Sequence, residues 1–140
     1  MKKVYYTLWV DALISTRSLP KNKYMWKFYT MLFMSLCMAL NLSMIILLLK
    51  EIFNNFYYDI SIDIFPGYKV DFMIRFILLY MLPILIINYI FIFYNDKYKA
   101  IERKYHYNNG KYYITYVIVS NIIPLIVFLV YFINQLTLKN

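Results

Sequence analysis

Three long runs of apolar residues constrain this chain more than anything else in it. The first, 28–49, reads FYTMLFMSLCMALNLSMIILLL and holds no charge. The second, 72–94, holds Arg75 near its start and no charge after it. The third, 112–134, reads YYITYVIVSNIIPLIVFLVYFIN and is again uncharged. At a rise of ~1.5 Å per residue, a helix of about 22 residues is roughly 33 Å long, which matches a hydrocarbon layer ~30 Å thick. Ile, Phe and Tyr also favour strands. Within lipid, however, only helices and closed barrels satisfy their own backbone, and three solid blocks do not make a barrel.

Composition agrees. The chain is 63% hydrophobic, against roughly 45–50% in soluble domains, and only 16% charged, against about 25%. A soluble domain of 140 residues has too little interior to hide that surplus. The expected fold class is therefore an all-α integral membrane protein. It is read as one membrane domain, with a short amphipathic N-terminal helix at 4–16 and transmembrane helices at 28–49, 72–94 and 112–134. An outer loop at 50–71 and a cytoplasmic loop at 95–111 join them.

The net charge of +8 reads as a topology signal rather than as a nucleic-acid surface. Lys2, Lys3, Arg17, Lys21, Lys23 and Lys27 precede the first run, and Lys97, Lys99, Arg103, Lys104 and Lys111 follow the second. Only Lys50, Lys69, Arg75 and Lys139 fall elsewhere. The positive-inside rule then puts the N-terminus and the loop 95–111 in the cytoplasm and the C-terminus outside. The expected neighbours are anionic headgroups, and no nucleic-acid partner is expected.

The opening MKKVYYTLWVDALISTR has a basic head, but Asp11 interrupts its apolar stretch and no clean cleavage site follows. Tyr5, Leu8, Trp9, Ala12 and Leu13 share one helical face. The expectation is a helix lying in the headgroup layer, with Trp9 and Trp26 as interfacial anchors. In the outer loop, Tyr58, Ile60, Ile62 and Ile64 alternate with Asp59, Ser61 and Asp63 up to a Pro66-Gly67 turn, the pattern of a short extended segment. The segment after the second run is expected to continue that helix into the cytoplasm, with Asn108-Asn109-Gly110 turning the chain back.

Each run carries one or more buried-polar candidates: Asn41, Asn88, and Ser120 with Asn121. An amide in hydrocarbon needs a partner, so these residues are expected to make interhelical polar contacts, each worth ~0.6 kcal/mol. A polar transport path is the sharper alternative, but mid-membrane ionisable groups, its usual mark, are missing. Pro83 and Pro124 each remove a backbone donor and are expected to kink their helices, Pro83 by freeing the Leu79 carbonyl. Ser35, Cys37, Ala39 and Ser43 allow close helix approach. Asp71 and Arg75 lie four apart and serve as further interfacial anchors.

Catalytic signals are thin. His106 is the single histidine, with Glu102 as a possible helical neighbour, and Asp59 and Asp63 make an incomplete cation site. None of the nucleotide, hydrolase or zinc-protease motifs is present. No catalytic residue, cofactor or metal is assigned. The stretches YYTLWVDA, MWK, IFPG and IFIFYNDKY resemble a group of uncharacterised small three-span membrane proteins from AT-rich bacteria. The resemblance implies a multi-pass protein of the bacterial inner membrane and no particular chemistry. The expected role is a non-enzymatic subunit or accessory protein that docks on a membrane partner or on its own copies. An oligomeric pore and an interfacial lipid-processing enzyme are the alternatives.

Overall fold

The computed structural model describes residues 2–19, 24–52 and 68–137. All of the regular structure among them is helical. Helix α1 is Lys2–Ser18, α2 is Trp26–Ile52, α3 is Tyr68–Phe76, α4 is Leu82–Asn88, α5 is Lys97–Lys104 and α6 is Lys111–Thr137. Single π-turns, Ile77–Met81 and Tyr89–Phe93, lie on either side of α4. The segment 53–67, with the expected extended stretch and with Asp59 and Asp63, falls outside the described residues.

Among the described residues two helical runs are long and apolar enough to cross a membrane: Trp26–Leu49, 24 residues, and Val70–Lys104, 35 residues. Little of either is covered by the rest of the chain, with 22% and 11% of their most apolar stretches buried. The central helix of a soluble domain would be mostly covered. Helix α6 spans 27 residues and exposes Ile118, Ile122, Leu125 and Leu129.

The π-turn before α4 is the chain's answer to Pro83. A proline cannot donate to the carbonyl four residues back, and its ring crowds that carbonyl. The Leu82 N–H bonds to the Ile77 carbonyl, five residues back, which slips the register by one just ahead of the proline. The irregularity is thus a wide turn, and Leu79 keeps an interaction of its own rather than standing free. Pro124 sits inside α6 without ending it.

The segment after the second run does not continue that helix as one rod. Asn95 and Asp96 both have positive φ, 53° and 55°, and redirect the chain into α5 as a separate helix. Asn and Asp are among the few residues besides glycine that take this conformation readily. A second break, at Asn109 (φ 53°) and Gly110 (φ 73°), starts α6.

The packed interior gathers at one end of the bundle. Trp9, Val10, Ala12 and Leu13 of α1 meet Met34 of α2, Ile92, and Tyr98 and Ile101 of α5. Helix α1 therefore differs from its expected setting. Trp9 is 0% exposed and lies edge-on to Phe93, with ring centroids 5.9 Å apart. Its apolar face finds partners in α2, α5 and α6, so the chain itself covers Trp9. Trp26 sits at the border of this cluster, edge-on to Tyr98 at 5.6 Å, with the Arg17 guanidinium 5.2 Å above its ring.

Candidate functional site: buried polar links and two grooves around α1

Asn88 closes α4 between the two π-turns and is 1% exposed. Its Nδ2 donates to Ser35 Oγ at 2.9 Å and approaches Met38 Sδ at 3.5 Å, both on α2. Its Oδ1 accepts from the Tyr5 hydroxyl on α1 at 3.0 Å. One side chain thus links three helices. Burial pushes the Tyr5 phenol up to about 12, because the charged form would lose its water.

Asn41 makes the second link. Its Nδ2 donates to the Tyr116 hydroxyl at 3.0 Å and to Ser120 Oγ at 2.9 Å, joining α2 to α6. Ser120, one turn before Pro124, is 1% exposed. Asn121 is different. Its Nδ2 donates to the Val117 carbonyl of its own helix at 2.7 Å, and its contact across to Cys37 Sγ is long, at 4.0 Å. The amide is thus met mainly within α6.

The third link was not legible in the sequence. Asp11 is 0% exposed. Its Oδ1 accepts from the Asn108 N–H at 2.6 Å and its Oδ2 from the Tyr112 N–H at 3.0 Å. Gly110 precedes α6 and has no side chain to cap it, while its carbonyl accepts from Ile114 at 2.9 Å. Asp11 supplies the missing acceptor from another helix, with its negative charge at the positive end of the α6 dipole.

Asp71 is buried in the first turn of α3 and Arg75 stands in its last turn. Both interact with the rest of the molecule. Glu102 pairs with Arg17 at 3.3 Å, which ties α5 to the end of α1. His106 is exposed. Among the described residues no group of three or more His, Cys, Asp or Glu side chains is placed to hold a metal ion.

Grooves flank α1 on two sides among the described residues. The larger, about 740 Å³, runs between α1 and α6 and is bordered by residues Lys104 to His106. The smaller, about 410 Å³, lies between α1 and the α4 region and reaches Asn88, Ile84 and Phe91. The chain matches no family model, no curated protein and no solved structure.

Proposed function

We propose that this is a multi-pass protein of the bacterial inner membrane, with three spans formed by α2, the α3–α4 run and α6. Its N-terminus lies in the cytoplasm and its C-terminus outside. We read it as a non-enzymatic subunit that docks, through its exposed apolar helix faces, on a membrane-protein partner or on copies of itself.

One observation carries this reading: the distribution of burial along the bundle. The packed cluster sits where α1, α5 and the start of α2 meet. Away from it, Ile45, Leu48, Phe72, Met73, Ile122 and Leu125 are all exposed. Contiguous apolar surface on this scale is not left bare in water. Nine of the described cations, Lys2, Lys3, Arg17, Lys27, Lys97, Lys99, Arg103, Lys104 and Lys111, belong to the elements of the packed end or adjoin them, against Lys50, Lys69 and Arg75 elsewhere, the bias a cytoplasmic flank requires. The polar links support an interaction role over a path, because Asn41, Asn88 and Asn121 bond to separate partners.

The experiment has two parts. The expected protein stays with the membrane fraction until detergent is added, and a reporter fused after Asn140 is active only outside the cell. In mild detergent it runs as a discrete complex whose mass exceeds one chain plus micelle. Solubility without detergent, or a reporter active inside the cell, removes the membrane reading. A strictly monomeric particle removes the docking role.

A further inference from the structure

The groove between α1 and α6 has a chemistry of its own. Tyr112, Thr115, Tyr116 and Val119 line it at positions i, i+3, i+4 and i+7 of α6, one continuous helical stripe. At ~1.5 Å per residue that stripe is about 10 Å long. Val4 and Leu8 of α1 face it. The basic groups come from both sides, Lys3 from α1 and Lys104 and His106 from the end of α5 and the segment after it. Among the described residues no carboxylate lines the groove, although the chain has 7 acidic residues. Beyond Val119 the exposed face of α6 continues as Ile122, Ile123 and Ile126.

We propose that this groove is a binding site for one anionic phospholipid molecule. The headgroup phosphate would take up the ammonium groups of Lys3 and Lys104, with His106 as a further donor, and one acyl chain would lie along the α6 stripe. Charge complementarity selects the occupant. A neutral apolar ligand leaves two lysines without a counter-ion, and a free phosphate leaves the apolar floor uncovered. The proposal rests on the membrane reading above and fails separately from it. A freely soluble chain defeats that reading, whereas a detergent-solubilised chain that ignores lipid charge defeats only this site.

The test is native mass spectrometry and thermal shift on the detergent-purified full chain, with phosphatidylglycerol, phosphatidylcholine and glycerol 3-phosphate as probes. Retention of phosphatidylglycerol alone, as a single bound molecule, is expected. Lys3→Gln with Lys104→Gln should weaken it by about tenfold or more, since each lysine acts on the phosphate as a full nearby charge. Lys27→Gln with Lys99→Gln removes the same charge elsewhere and should leave retention unchanged. Val119→Trp, which fills the floor, should also lower it. Equal retention of the two lipids would overturn the site, as would equal losses in the two lysine pairs. Binding of glycerol 3-phosphate as strongly as the lipid would overturn the acyl-chain assignment and with it the proposal.

Discussion

Asp11 Oδ2 accepts from the backbone N–H of Tyr112 at 3.0 Å, across 101 residues of sequence. With the bond from the Asn108 N–H, a single carboxylate in α1 fixes where α6 begins. Asp11→Ala removes the acceptor of two partly buried N–H donors, and should cost on the order of 1–3 kcal/mol in all. Asp11→Asn keeps one acceptor oxygen and loses the charge, so its loss should be intermediate. Thermal unfolding in detergent checks the order. A wild-type melting curve for the alanine variant would rule the cap out.

Gly110 makes the neighbouring prediction. Its φ is +73°, and a Cβ there would stand 2.5 Å from Ser15 Oγ. Gly110→Ala should destabilise by about 1–3 kcal/mol, through the left-handed backbone and the clash together. Among the described residues Ser15 Oγ has no hydrogen-bond partner, and it is buried, so Ser15→Ala should be neutral or mildly stabilising. The double variant should recover part of the loss and retain the backbone strain. Full additivity of the two changes would show that the two positions do not meet.

Asn88 bonds to Ser35 and Tyr5 on two different helices. A double-mutant cycle on Asn88→Ala and Ser35→Ala should give a coupling of about 0.6 kcal/mol, and no more than about 1.7 kcal/mol. Asn121→Leu, which gives up mainly a bond within its own helix, should perturb helix association less than Asn41→Leu. Reversal of that order, measured by unfolding in mixed detergent, would contradict the assignment.

The Tyr5 phenol should titrate late. Its value is raised from 10.0 to about 12 by burial, so between these two values the folded chain holds a proton that the unfolded chain has lost. Stability contributed by the neutral phenol is complete below pH 10 and falls as pH rises from there, levelling off above about 12. Spectroscopic titration against Tyr5→Phe isolates this group. A Tyr5 midpoint at the ordinary value would remove the burial argument.

The long apolar helices are legible because their signal is local. A run of about 22 apolar residues carries a helical signal of its own in lipid; the first and third expected runs lie within α2 and α6, and the second starts in α3 and passes through α4 into the turns that follow it. Proline positions are equally local, although the response at Pro83, a π-turn with its register slip, depends on how the surrounding backbone accommodates the ring. The asparagines and Ser120 are legible as polar candidates and Ser35 as a close-approach position, but the pairing of Asn41 with Ser120 and Tyr116, and of Asn88 with Ser35 and Tyr5, is set only where the helices cross.

What the sequence alone determined is the helical class and the positions of the long apolar runs, because each follows from residue type and spacing along one segment. Tertiary structure decided the place of α1. The amphipathic pattern that allows a helix to lie on a bilayer equally allows it to pack on other helices, and periodicity cannot distinguish lipid from protein as the apolar neighbour. The two N–H groups waiting near the start of α6 settle Asp11, since a carboxylate on a polar face stays in water unless the fold brings donors to it.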